Sequence, residues 1–267
     1  MRRTLLILFG LLFTAGIDAY ADDWSKSYQV TGQPELRVST SDANVEVQVW
    51  DKNAVDIQIR TQHLSIGSGG LQITEHQDGN VISLEAREPS GFGFHFFYNQ
   101  RVDVTIHAPS KANLTVNTGD GRIRVSGVTG NINLHSGDGR QDIDSVGGNL
   151  RAHTGDGAIR VRGRFDQLDL TTGDGGIEVT VLPGSQMSTA WNLQTGDGHM
   201  TLELPSDFKA TLDMHTNDGH MDLDIPLTVT GRYGQNSVRG DLNGGGNVLK
   251  VRTGDGSIRL RRSLAAL

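Results

Sequence analysis

One four-residue pattern, Thr-Gly-Asp-Gly, returns along the sequence and restricts the fold more than any other feature. Its seven copies, two of them with Ser or Asn substitutions, contain Asp120, Asp138, Asp156, Asp174, Asp197, Asp218 and Asp255. The first four of these aspartates are each 18 residues apart. A fixed period of this size is typical of repeat proteins, in which each unit packs on its neighbours. The sequence therefore predicts a stack of small, similar units.

The residues between these turns alternate between apolar and polar types, as in Ile123-Arg124-Val125. Alternation with period 2 is typical of β-strands that have one buried face. Each 18-residue unit therefore contains two strands and two turns, and glycine supplies the backbone conformations that the turns need. We expect one apolar residue per unit to form a single inward stack, namely Ile123, Ile143, Ile159 and Ile177.

We predict an all-β fold, a β-solenoid whose two-strand rungs stack about 4.8 Å apart. The alternative is an antiparallel β-meander sandwich, because Asp-Gly between alternating segments is also a hairpin signal. Equal spacing favours the solenoid. We assign residues 22–267 to one repetitive domain, with an irregular N-terminal cap and strands in residues 22–110 and the repeats in residues 111–262. The segment Ser41-Asp42-Ala43-Asn44 is a candidate degenerate first copy.

Residues 1–21 have the pattern of a cleaved export signal. Arg2 and Arg3 precede a short apolar segment, and Ala19-Tyr20-Ala21 fits a cleavage site. The apolar segment is shorter than the roughly 20 residues that a membrane-spanning helix needs, so we expect no transmembrane segment in the mature chain. These features predict an exported protein, with the periplasm as the first choice and the cell surface or secretion as alternatives.

The chain has no cysteine and a formal net charge of −7. An exported protein without disulfides must obtain its stability from its core. A negative surface argues against nucleic acid and anionic membranes as partners, since both carry the same sign of charge. Motifs for nucleophilic, zinc-protease and phosphate-binding chemistry are absent from the sequence. We therefore expect no catalytic residue and no cofactor.

Exported chains with repeated T-G-D-G-x-[IL]-x-[VL] rungs resemble the bacterial putative adhesin family DUF4097, here over about residues 36–262. The resemblance implies an exported, β-solenoid-like domain and brings no catalytic residues with it. We therefore expect a non-catalytic scaffold of the cell envelope that binds an unknown envelope protein or glycan. The alternatives are a glycan-active lyase or hydrolase on the same scaffold and a Ca²⁺-stabilised adhesin module.

The turn aspartates are expected to form a column of like charges along one edge of the solenoid. Neighbouring carboxylates at the rung spacing repel by roughly 1 kcal/mol in water. We expect backbone N–H groups of the same turn or of the next rung to offset this repulsion. The alternative is Ca²⁺ held between rungs, but calcium-binding β-rolls carry aspartates on both edges. We favour the structural role and predict no metal site.

Two further groups of residues are candidates for binding. His135 and His153 occupy matched positions in adjacent repeats, and His215 shares their column. Stacked imidazoles could bind Zn²⁺ or change charge near pH 6. The favoured interpretation is that these histidines lie on a solvated surface. Aromatic residues are concentrated in one short segment, at Phe92, Phe94, Phe96, Phe97 and Tyr98. This segment is either a cap over the end of the solenoid or a patch that contacts a partner.

Overall fold

The computed structural model describes residues 21–88, 100–234 and 236–263, and this part of the chain contains strands and turns but no helix. No segment of it could cross a membrane as an apolar helix. Its 21 strands belong to one hydrogen-bonded sheet. In chain order they are β1 (Ala21–Gln29), β2 (Glu35–Thr40), β3 (Asn44–Trp50), β4 (Ala54–Gln62), β5 (Gln72–Asp78), β6 (Val81–Arg87), β7 (Arg101–Pro109), β8 (Asn113–Thr118), β9 (Ile123–Ser126), β10 (Thr129–Ser136), β11 (Gln141–Thr154), β12 (Ile159–Thr172), β13 (Ile177–Val181), β14 (Trp191–Gln194), β15 (Met200–Leu204), β16 (Ala210–Thr216), β17 (Met221–Asp224), β18 (Thr228–Tyr233), β19 (Ser237–Leu242), β20 (Val248–Thr253) and β21 (Ile258–Arg262).

The strands form two faces, which we call face A and face B. Face A contains, in hydrogen-bonded order, β1, β4, β7, β3, β9, the first part of β11, the first part of β12, β13, β15, β21 and β17. Face B contains β5, β6, β2, β8, β10, the second parts of β11 and β12, β14, β20, β16, β19 and β18.

Strands of stacked repeats pair in parallel on both faces, so the predicted β-solenoid is confirmed and the antiparallel meander is wrong. A parallel pair needs a connection that returns to the same end of the strand. The second strand and the two turns of each repeat provide that connection. Among the described strands, antiparallel pairs occur only toward the ends of the stack, where β4 joins β1 to β7, β5 pairs with β6, and β19 joins β16 to β18.

Alternate side chains from both faces fill one continuous hydrophobic core, as the period-2 pattern predicts. The expected inward stack is wrong at one position. Gln141, not Ile143, pairs with Ile123 on one side and with Ile159 on the other. Ile143 lies two residues further along the strand, in the column of Val125. The error arose because the sequence offers an isoleucine close to the turn, whereas the hydrogen-bonded register places a buried glutamine in the column.

The order of rungs in space differs from their order in the chain at both ends. At the C-terminal end, β20 lies between β14 and β16, and β21 lies between β15 and β17. At the N-terminal end, β2 lies between β6 and β8, and β3 lies between β7 and β9. The strand pair at each end of the repeats is therefore an interior rung, covered on both sides by other strands.

Candidate functional site

The T-G-D-G turns lie in one column at the same edge of the solenoid, and their first residue is buried. The Thr154 hydroxyl donates hydrogen bonds to the carbonyl oxygens of Gly137 and Gly139 in the preceding turn, at 3.1 and 3.0 Å. The same pair of bonds recurs at Thr172, Thr195, Thr253 and Thr216. Each hydroxyl thus provides a donor to the carbonyl of the second glycine of the neighbouring turn, and it also contacts the carbonyl of the first glycine, which accepts a backbone N–H from the next turn as well.

The fourth residue of each turn must be glycine because the turns stack closely. A Cβ atom on Gly139 would overlap the carbonyl oxygen of Gly121, and one on Gly157 would overlap the carbonyl oxygen of Gly139. Any side chain there would force the rungs apart. The repeated glycine therefore reflects close backbone approach.

The turn aspartates, all exposed, connect one rung to the next. The Asp120 carboxylate accepts a hydrogen bond from the backbone N–H of Asp138, and the Asp138 carboxylate accepts one from Asp156, both at 3.2 Å. Asp42 does the same for Asp120 at 3.0 Å, which confirms that the segment around Asp42 is a degenerate first copy of the turn. These contacts supply the N–H donors expected to offset the repulsion between carboxylates.

Outward side chains on face A form columns in which positive and negative charges alternate. In stack order, one column consists of Glu46, Arg124, Asp142, Arg160, Glu178, Thr201, Arg259 and Asp222. Within it, Arg160 lies 2.7 Å from Glu178 and Arg259 lies 3.1 Å from Asp222. Opposite charges on neighbouring strands stabilise a sheet, and the alternation in this column is interrupted at Thr201.

Outward side chains on face B are mainly amides, hydroxyls and imidazoles. Asn149 donates a 2.8 Å hydrogen bond to the side-chain oxygen of Asn131 on the neighbouring strand. The rings of His135 and His153 stack with their centroids 5.1 Å apart, in the matched positions that the sequence predicted. His215 lies in the same column, beyond Arg252. Face B therefore presents a hydrogen-bonding surface that also carries ion pairs, among them Arg151 with Asp169 and Arg252 with Asp213.

The other predicted sites have different outcomes. His199 and His220 each follow directly after the last glycine of a turn, but they are not neighbours, because Ser257 lies between them and contacts the Nδ1 atoms of both rings. No group of three metal-binding side chains occurs within the described segments. The aromatic residues Phe92, Phe94, Phe96, Phe97 and Tyr98 fall outside the described residues, as does most of the predicted export signal.

The described surface carries several open grooves. One of about 710 Å³ crosses the N-terminal part of face A, where Arg60 and Arg124 lie close to acidic residues. Arg60 pairs with Asp23 at 2.9 Å, and Arg101 pairs with Asp103 at 2.7 Å, so these charges are largely neutralised. These charged side chains of the groove thus form ion pairs with one another.

The family model described as Toastrack DUF4097 matches residues 26–261. No curated protein is significantly similar to the chain. Among solved structures, a putative cell adhesion protein from Clostridium sporogenes is 14% identical with a TM-score of 0.42, over 91% of this chain and 100% of that one. A putative adhesin from Bacteroides fragilis is 10% identical, with a TM-score of 0.38 and coverage of 90% and 97%. A putative lipid binding protein from Parabacteroides distasonis is 12% identical, with a TM-score of 0.34 and coverage of 91% and 98%.

Proposed function

The chain belongs to the Toastrack DUF4097 family, and we propose that it is a non-catalytic, exported scaffold of the cell envelope that binds a protein or glycan partner. The observation that carries this proposal is the regular display of side chains on a rigid stack. Each outward column repeats at the rung spacing of about 4.8 Å. A surface of this kind is preorganised, so a partner binds it without ordering flexible segments.

Face B is the surface we assign to the partner. Its amides and imidazoles, at Asn131, Asn133, Asn149, His135 and His153, offer donors and acceptors that suit the hydroxyls of a glycan or the polar surface of a protein. Although face B also contains ion pairs, such as that of Arg151 with Asp169, face A is less suited because ion pairs recur at most steps of its columns. A partner there would have to separate existing ion pairs.

The chemistry of the described residues supports a binding role over catalysis. General acid–base catalysis needs titratable groups with shifted pKa values that converge on one point. The turn aspartates are instead exposed and spread evenly along one edge. Burial raises the pKa of Tyr28, but this tyrosine donates its hydroxyl to Glu75 and lies in the core at the N-terminal end.

Export is supported by the basic residues, apolar segment and cleavage pattern of residues 1–21. The absence of cysteine is compatible with an oxidising compartment because the solenoid core is continuous without any covalent link.

Site-specific photo-crosslinking in cells tests the proposal. A photoreactive residue replaces Asn133 on face B, and a matched control replaces Thr201 on face A. We expect an envelope protein or glycan to be captured from position 133 and not from position 201. Capture from 201 alone would contradict the assignment to face B, and retention of the protein in the cytoplasm would contradict export. Depolymerisation of an envelope polysaccharide by the purified protein would instead support the enzyme alternative.

A further inference from the structure

The C-terminal end of the solenoid leaves one strand edge open. Among the described residues, β17 pairs with β21 on one side and has no strand on the other. Face B continues past the same rung with two more strands, β19 and β18. Face A therefore ends two strands earlier than face B. An unpaired edge presents backbone donors and acceptors that can pair with another chain.

The open edge has a defined set of free backbone groups. The N–H of Ile258 in β21 donates to the carbonyl oxygen of His220 at 3.0 Å. Because backbone groups of alternate residues in a strand point to the same side, Asp222 and Asp224 also face β21. The N–H and C=O groups of Met221 and Leu223 therefore point away from β21, toward the open edge.

Apolar side chains accompany these backbone groups. Met221, Leu223, Ile225 and Leu227 are only partly buried, although they pack against the core. A groove of about 750 Å³ borders Met221, Leu223 and the buried Val238 of β19. An added strand would place its own inward side chains here and complete the core. The end of the described chain does not do so, since Ser263 donates its N–H to Leu204, on the side of β21 away from β17.

Charge identifies the chemistry of the missing strand. Both outward residues of β17, Asp222 and Asp224, are acidic. Each outward column of face A ends on one of these carboxylates after an arginine, Arg259 or Arg261. Continuation of the alternating pattern requires a cation at both outward positions of the next strand. A second copy of β17 would instead place aspartates beside aspartates, which is unfavourable.

We propose that the β17 edge binds, by β-strand addition, an extended segment of a partner protein in which apolar residues alternate with Lys or Arg. Backbone hydrogen bonds to Met221 and Leu223 provide the pairing, and the two aspartates select the basic segment. Each exposed ion pair adds about a two- to five-fold gain in affinity. This inference does not depend on whether face B binds the partner proposed above.

A synthetic peptide that copies residues 256–262, Gly-Ser-Ile-Arg-Leu-Arg-Arg, is the probe. We expect it to shift the backbone amide NMR signals of residues 221–224 at peptide concentrations up to about 1 mM. A peptide with glutamate in place of each arginine is the control and is expected to bind weakly or not at all. Absence of shifts with the basic peptide, or equal binding of the glutamate peptide, would overturn the proposal.

Two protein variants separate strand addition from simple charge attraction. Leu223→Pro removes one outward N–H that the fold does not use, and proline is tolerated on edge strands. It should abolish peptide binding while β17 continues to pair with β21.

Asp222→Asn with Asp224→Asn should weaken binding of the basic peptide by about four- to twenty-fold in total. Glu203→Gln is the matched control and should change affinity little, since Glu203 lies on β15, which pairs with β21 on the side away from β17. Full binding by the proline variant, with its fold verified by NMR, would overturn strand addition.

Discussion

The Thr253 hydroxyl donates a 3.0 Å hydrogen bond to the carbonyl oxygen of Gly198, although 55 residues separate the two in the chain. The last copy of the turn thus lies beside the fifth, and the sixth copy, at Thr216, packs on its other side through Gly254 and Gly256. The C-terminal strands β20 and β21 are consequently enclosed. In a simple solenoid the last strands of the chain form the exposed end and can fray first, whereas here β20 and β21 pair on both sides and the outer strands β16 and β17 precede them in the chain.

Replacing Thr253 by valine should therefore destabilise the protein as strongly as a change in the middle of the stack. Valine keeps the shape but removes the donor to the carbonyl of the buried Gly198, at a cost of about 1–3 kcal/mol, whereas the carbonyl of Gly196 still accepts from the backbone N–H of Gly254. Thr201→Val, on the outward side of β15, is the matched control and should change the free energy of unfolding by less than about 0.5 kcal/mol. Urea denaturation measures both. Equal stability of the two variants would contradict the interior position of this rung.

Restoring the consensus at one irregular rung should stabilise the solenoid. Gln141 is buried where its neighbours in the column are Ile123 and Ile159, and its Oε1 atom has no hydrogen-bond partner. The Ser136 hydroxyl donates a hydrogen bond to the carbonyl oxygen of Gly139 in its own turn. We expect the double variant Ser136→Thr with Gln141→Ile to raise the free energy of unfolding by about 1–2 kcal/mol. A lower urea midpoint would mean that the hydrogen bonds from Gln141 outweigh the cost of burying it.

The contribution of the turn aspartates to stability should come from the oxygen that accepts a hydrogen bond more than from the negative charge. Asp138→Asn keeps the acceptor for the Asp156 N–H and removes repulsion from both neighbours, so stability should be unchanged or higher at low salt. Asp138→Ala loses the bond and should cost about 1 kcal/mol. Thermal unfolding in dilute buffer and in about 1 M NaCl separates the two effects, since salt removes only the electrostatic part. Similar losses for both variants would show that the negative charge itself is needed.

Removal of calcium should leave the fold intact. The carboxylates of Asp42, Asp120 and Asp138 accept backbone hydrogen bonds, so no cation is required to hold them in place. The melting temperature in EDTA should equal that in calcium buffer to within about 1 °C, since a ligand stabilises only the state that binds it. A large drop in EDTA that Ca²⁺ alone reverses would make the column a metal ladder. Mg²⁺ at the same concentration is the control.

Stability should fall above about pH 10 because of one buried tyrosine. Burial raises the pKa of Tyr28, and its hydrogen bond to the Glu75 carboxylate and the charge of that group raise it further. The unfolded tyrosine titrates near pH 10, so the stabilisation is complete below that pH and is lost as the pH rises through the folded-state pKa. Urea midpoints between about pH 8 and pH 11 should fall for the native protein and fall less steeply for Tyr28→Phe. Parallel pH profiles would contradict this assignment.

The repeated turn and the alternation of apolar residues were enough to predict the solenoid, the turn column and the matched histidines. These features are local: each depends on residues a fixed number of positions apart, and parallel stacking repeats them at every rung. Even the degenerate copy around Asp42 could be recognised from its residue types. The same local signals failed at Gln141, because an adjacent isoleucine fits the period-2 pattern equally well when the register is unknown.

Tertiary structure alone decided which rungs are neighbours at the ends. The sequence places Thr253 last, but hydrogen bonding places its rung between those of Thr195 and Thr216. The position of β20 and β21 in the stack depends on which exposed strand edge they can reach. The local sequence does not decide it, because similar repeats fit equally well between two rungs or at the end. The C-terminal end of the charge columns on face A and the open edge of β17 follow from that order. They could not be seen in the sequence because Arg259 and Asp222 face each other only when the last strand pair enters the stack.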